Sequence, residues 1–112
     1  MIETILLEFL KSRLGVPVYM EVPEKDLDVF VVLEKTGSSK VNHIPSATIA
    51  AQSYGKSLYE AAKLNEQVKD AIESAIELDE ISAVRLNSDY NFTDTATKRY
   101  RYQALYVITY QV

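Results

Sequence analysis

From Arg99 to Val112 the chain alternates without interruption. Tyr100, Tyr102, Ala104, Tyr106, Ile108, Tyr110 and Val112 fall on one side, and Arg101, Gln103, Leu105, Val107, Thr109 and Gln111 on the other. Successive side chains of a strand point to opposite faces, so this pattern demands a long strand with two different faces. Such a strand needs strand neighbours and a second layer packed on its apolar side. The rest of the sequence has to supply them.

Two helices are available for that layer. Residues 2–14 place Ile2, Ile5, Leu6, Phe9 and Leu10 at helical spacing, with Glu3, Glu8, Lys11 and Arg13 on the wet side. Gly15 stands where a C-cap is expected, and Pro17 forbids continuation. The second helix opens at Ser57, which forms a capping box with Glu60. Leu58, Ala61, Leu64, Val68, Ala71, Ile72, Ala75 and Ile76 give it one apolar stripe, while Glu66, Asp70, Glu73 and Glu77 make an acidic outer side.

The neighbouring strands follow from shorter patterns. Val16, Val18, Met20 and Val22 would share one face of a strand that Pro17 and Pro23 confine to a sheet edge. After a charged turn at Glu24–Asp28, Val29–Glu34 reads as a strand apolar on both faces at its start. Thr36-Gly37-Ser38-Ser39-Lys40 reads as a turn, followed by a third strand from Val41 to Ala51, bent at Pro45. Beyond the second helix, Ile81–Leu86 reads as a strand and Asn87–Thr97 as a polar excursion. The order α-β-β-β-α-β-β implies one α+β domain over residues 1–112, a mainly antiparallel sheet with two packed helices.

Composition narrows the function classes. The chain has 112 residues, 47% of them hydrophobic and 25% charged, which suffices for a core without covalent staples. It has no cysteine, which excludes disulfides, thiolate metal sites and a cysteine nucleophile. A net charge of −4 provides no overall field to gather nucleic acid, so no nucleic-acid recognition is expected. No apolar stretch approaches the ~20 residues that span a bilayer, so no membrane contact is expected. Met1-Ile2-Glu3 lacks the basic start of a secretory signal. The expectation is a protein made in the cytoplasm and either used there or built into something larger.

Sites for chemistry are sparse. His43 is the only histidine, followed by Ile44-Pro45 and without carboxylates nearby in sequence, so it reads as a loop residue and not a zinc ligand. Asp26 with Asp28, and Asp89 with Asp94, are spaced for acid–base work but lie in polar turns where solvated charge is the ordinary outcome. Asp89-x-Asn91 lacks the glycine and terminal glutamate of a calcium loop. Gly15, Gly37 and Gly55 are isolated, so no phosphate-cradling loop can be written. An enzyme is not expected, nor is a cofactor or metal.

The tyrosines of the last strand allow two readings. They pack under the helices, or they face a shared boundary, where the polar tip of tyrosine is favoured. Lys98, Arg99 and Arg101 form a basic cluster at the base of the same strand, opposite in sign to the outer side of the second helix. Separate patches of opposite sign let copies of a chain associate head to tail, and a closed rotation gives a ring.

Two stretches carry a family resemblance. Gln52-Ser53-Tyr54-Gly55-Lys56-Ser57, with Glu60-Ala61 and Leu64, resembles the approach to the long helix in tail-terminator (tail-completion) proteins of long-tailed bacteriophages. Asp94-Thr95-Ala96-Thr97-Lys98, then Arg101-Tyr102-Gln103, is similar to that family's passage into its last strand. The resemblance implies a virion protein of the tail and neck, assembled in the host cytoplasm. It would form a hexameric ring that caps the tail tube, ends its growth and meets the head–tail connector. Its partners would then be its own copies, the tail tube protein and the connector. Lys35, Lys40 and His43 around the first polar loop, and Asp89, Tyr90, Lys98, Arg99 and Arg101 around the second, are the candidate contact residues. Competing readings are another neck or head-completion ring protein, a cytoplasmic adaptor or small-ligand-binding domain from a bacterium, and an enzyme using Asp89 and Arg101.

Overall fold

The computed structural model describes residues 1–25 and 27–111. Asp26, one half of the Asp26/Asp28 pair, and Val112, the last residue of the alternating run, lie outside the described residues. The chain folds as α+β: helices α1 (Ile2–Arg13) and α2 (Leu58–Ser74), and strands β1 (Val18–Tyr19), β2 (Phe30–Val41), β3 (Ile44–Tyr54), β4 (Ile81–Asn91) and β5 (Arg101–Tyr110). The strands form one five-stranded sheet in the order β1-β2-β3-β5-β4. Every adjacent pair is antiparallel except β1 and β2, which run parallel, so the sheet is mixed.

Both helices cover the same face of the sheet. Ile2, Leu6, Phe9 and Leu10 of α1 and Leu64, Val68, Ala71 and Ile72 of α2 join Val31, Leu33, Ala47, Ile49, Ala51, Ala104, Tyr106 and Ile108 in one buried core. These strand residues alternate along their strands and align across them, as in Ile49↔Tyr106 and Ala51↔Ala104. The alternation expected of the last strand therefore holds, with Ala104, Tyr106 and Ile108 fully buried beneath the helices. The other face of the sheet has no helix on it and carries a second, small cluster: Phe30, Val32 and Tyr54 with Tyr19 and Leu27 against them.

The helices start and stop for local reasons. In α1, Glu3 lies in the first turn and Lys11 and Arg13 in the last, each complementing the helix dipole. Its end departs from expectation. The chain turns extended at Leu14 (φ −103°, ψ 145°), and Gly15 adopts no left-handed cap. Ser57 caps α2 as predicted, its Oγ accepting from the Glu60 N–H at 3.1 Å. The buried stripe of α2 runs from Ala61 to Ile72, while Leu58 at its start and Ile76, in the 3-10 turn that follows it, are exposed. Gly55 is required by packing. A Cβ there would lie 2.6 Å from the Ala61 nitrogen, within the first turn of α2.

Four strand expectations need correction. The strand predicted over Val16–Val22 reduces to Val18–Tyr19, and Met20 and Val22 are exposed. It is an edge strand, as the prolines required, but no periodic signal announced its parallel pairing. Thr36–Lys40 is not a turn. β2 continues to Val41, Gly37 marks a bulge, and the chain reverses at Asn42–His43 with φ of 50° and 66°. A two-residue hairpin turn with both φ positive suits the strand twist, and asparagine tolerates that conformation. β3 accordingly begins at Ile44 and runs past Ala51 to Tyr54. Likewise β4 extends to Asn91, so the first part of the expected Asn87–Thr97 excursion is strand. The outermost long strands, β2 and β4, carry all the register shifts: one at Lys35/Gly37, and two in β4 at Ile81/Ala83 and Leu86/Ser88.

Candidate interaction surfaces

The candidate residues gather at three places. The first is the hairpin of β2 and β3. From Glu34 to Val41 every β2 residue is exposed, and the pairing of β3 with β5 begins only at Ser46. Lys40 and His43 therefore stand at a solvated tip, beside Val41 and Ile44, which are 67% and 55% exposed. Lys35 is different. Its Nζ lies 3.5 Å from Glu3 Oε2, tying β2 to α1.

The second place lies under α2. Asp89 accepts from Lys69 Nζ at 3.2 Å and from the buried Asn65 Nδ2 at 3.3 Å. Its carboxylate, on β4, is thus engaged by α2 of the same chain. Much of the acidic outer side of α2 is similarly engaged. Glu66 pairs with Lys69 at 2.7 Å, Glu77 with Arg13, and Glu73 accepts from the Tyr106 hydroxyl at 2.5 Å. The hydrogen bond to Glu66, opposed by desolvation, holds the Lys69 pKa above its ordinary value. Burial, reinforced by the Glu73 carboxylate, pushes the Tyr106 phenol up.

The third place is the end of the sheet where β2 starts, β3 finishes and β5 begins. Register sets Phe30 opposite Tyr54, and Tyr54 opposite Arg101. Phe30 and Tyr54 stack with centroids 4.3 Å apart and planes 12° from parallel, and Tyr19 meets Phe30 edge-on at 6.2 Å. Arg101 Nη1 donates to the Tyr54 hydroxyl at 3.0 Å, and its Nε donates to the Phe92 carbonyl at 2.7 Å. Its guanidinium also lies 4.5 Å from the Phe92 ring centroid. Arg99 sits over the same stack, 5.4 Å from Phe30 and 5.3 Å from Tyr54. Each such contact is worth roughly 0.5–1 kcal/mol at a partly exposed site.

A line of hydrogen bonds crosses the helix-free face from this corner. The Tyr54 hydroxyl donates to Gln52 Oε1 at 3.5 Å, and Gln52 Nε2 donates to Gln103 Oε1 at 2.8 Å. Gln103 Nε2 in turn donates to the Tyr90 hydroxyl at 2.6 Å. Tyr90, a candidate contact, is thus the outer end of an internal ladder and packs edge-on against Phe92 at 5.9 Å. Phe30, Gln52, Tyr54 and Gln103 belong to this surface but were not among the candidate contact residues. Only strand register brings them together.

Lys98 lies in the turn between β4 and β5. Asp94 and Arg99 close that turn with reciprocal backbone bonds of 3.3 and 3.2 Å. Hydrogen bonds from the Thr97 side chain and the Ala96 N–H hold the Asp94 pKa below the usual carboxylate value. The Lys98 backbone is left-handed, at φ 55°.

No protein-family model matches the chain, and no curated protein matches it. Among the described residues, no group of three or more His, Asp or Glu side chains gathers as a metal site would require. No described helix is long and apolar enough to cross a membrane. The eight candidates do not converge on one site. Lys40 and His43 are exposed at the hairpin tip and Lys98 is exposed in the β4–β5 turn beside Arg99, while Lys35, Asp89, Tyr90 and Arg101 each bond within the chain and Arg99 stacks on its own aromatic rings.

Proposed function

We propose that this chain is a phage virion assembly protein that caps the tail tube, ends its polymerisation and joins the tail to the head-side connector. It would act as a ring of copies, in the simplest case a hexamer, at the neck of the virion after assembly in the host cytoplasm. The reading starts from the resemblance in the Gln52–Ser57 and Asp94–Gln103 stretches.

The observation that supports it physically is the outer half of β2. The run from Glu34 to Val41 is exposed throughout and adds little hydrophobic burial to folding. The apolar Val41 and Ile44 at its tip gain only by meeting another surface. In this reading Lys40 and His43 contact a neighbouring copy or the tube, and Lys98 lies at a second contact.

The test is to sequence several kilobases of DNA on each side of the gene. A reading frame for a tube-sized β-rich protein, followed by a very long helical one of tape-measure type, is the expected result. Metabolic or regulatory neighbours would overturn the proposal.

A further inference from the structure

We infer that the cleft beside Arg99 is a binding site for a compact oxyanion, a carboxylate or a phosphate. This does not depend on the tail reading, because it rests only on the chemistry of the cleft walls. The cleft holds about 330 Å³ and lies where Leu27-Asp28, Tyr54-Gly55-Lys56 and the Thr97–Tyr100 turn meet. Among the described residues, three cations line it, Lys56, Lys98 and Arg99, against one carboxylate, that of Asp28.

Arg99 carries the argument. Its Nη2 is buried and has no hydrogen-bond partner, the only cationic nitrogen in that state among the described residues. A buried charged donor without an acceptor is unfavourable; Nη2 is closed to solvent as it stands, so an oxyanion in the cleft removes that cost by drawing the guanidinium a short way toward it. The rings of Phe30 and Tyr54 hold the guanidinium in place from 5.4 and 5.3 Å. Ring faces attract its charge but are poor acceptors for its N–H groups.

Lys98 is fixed at the same wall. Its left-handed backbone is a conformation that residues other than glycine seldom adopt, and the closed Asp94–Arg99 turn enforces it. A fork from Arg99 with ammonium groups from Lys98 and Lys56 is the donor set that planar or tetrahedral oxyanions require. The volume is at the lower end for ligand sites, which favours a small anion over a nucleotide.

The test is a titration of the full-length protein, followed by amide NMR in low-salt buffer. One arm uses inorganic phosphate. The other uses a capped Glu-Asp-Glu peptide, which offers the same chemistry on a polypeptide. The expected result in at least one arm is saturable shifts at Gly55, Lys56, Lys98, Arg99 and Tyr100. Binding should weaken about tenfold in Arg99→Met and in Lys98→Asn, the loss of one charge-assisted bond each. Met keeps an apolar stem on the rings, and Asn tolerates the left-handed backbone. Saturation by phosphate would assign the site to a free anion, and saturation by the peptide alone to a carboxylate on a protein partner. No saturable shift in either arm, or unchanged affinity in both variants, would overturn the inference.

Discussion

Replacing Gly55 with alanine sets two opposed effects against each other. Gly55 does not have a positive φ, so alanine meets no backbone penalty there. On that ground alone Gly55→Ala would stabilise the protein by about 0.4–1 kcal/mol, by restricting the unfolded chain. The new Cβ, however, would lie 2.6 Å from the Ala61 nitrogen, 2.9 Å from the Glu60 carbonyl carbon and 3.0 Å from the Ala61 Cα. All three are backbone atoms of α2, so relief requires the helix to shift as a body. Overpacking of this kind typically costs about 1–3 kcal/mol. The clash should win, with a net loss of about 1–2 kcal/mol. For a domain of this size that lowers Tm by about 4–8 °C. The assay is urea unfolding followed by circular dichroism, with Gly15→Ala as the control. Nothing lies within 4 Å of a Cβ at Gly15, so that variant should be neutral or slightly stabilised. A Gly55→Ala midpoint at or above wild type would refute the reasoning, since the close approach of α2 would then not constrain the chain.

Other substitutions probe the polar contacts. Tyr106 has its pKa raised in the folded state, so its contribution to stability is fully present below the unfolded value, about 10, and is lost as pH rises beyond it. Tyr106→Phe should cost about 1 kcal/mol at neutral pH and show a shallower alkaline loss, read from urea midpoints between pH 8 and pH 11. Asp89→Ala leaves Lys69 and the buried Asn65 without their shared acceptor and should cost about 1–3 kcal/mol by the same assay. Arg101→Met removes the bonds to the Tyr54 hydroxyl and the Phe92 carbonyl. It should speed tryptic cleavage at Lys98 and Arg99 severalfold while α2 stays protected, as seen in the fragment pattern by mass spectrometry.

The legible parts of this fold were those with a periodic signature. The stripe of α2 and its Ser57 cap could be read because a helix buries one side and its first turn needs an acceptor. The burial of Ala104, Tyr106 and Ile108 could be read because a strand half-covered by helices must alternate. That also decides between the two readings of Tyr106, which lies beneath α2, whereas Tyr100, Tyr102 and Tyr110 are only half-buried. The outer half of β2 gave no such signal. Both of its faces are wet, so Thr36–Lys40 has the composition of a turn while its backbone is paired strand. Arg99 and Arg101 were legible only in part. Their clustering in the chain showed the charge, but their surroundings depend on Phe30 and Tyr54, which only cross-strand register brings near. Charge reversal at these two positions would therefore disturb the aromatic corner as well as any contact beyond it. Lys40 and Lys98 are the cleaner positions to probe.

The bulges of the sheet have a consequence for how copies of the chain can meet. Each falls in β4, at the sheet edge, or in β2 beyond the Val31–Val32 stretch that β1 pairs, where the outer side of the strand has no strand neighbour. A bulged margin twists away and interrupts its row of free N–H and C=O groups, so it templates a further strand poorly. Sheets of neighbouring copies are thus discouraged from fusing into an open-ended ribbon, and association must use side chains at the hairpin tip, the turns or the helix-free face. For a subunit proposed to bring another protein's growth to a halt, unsuitability as a seed for growth of its own is a useful property.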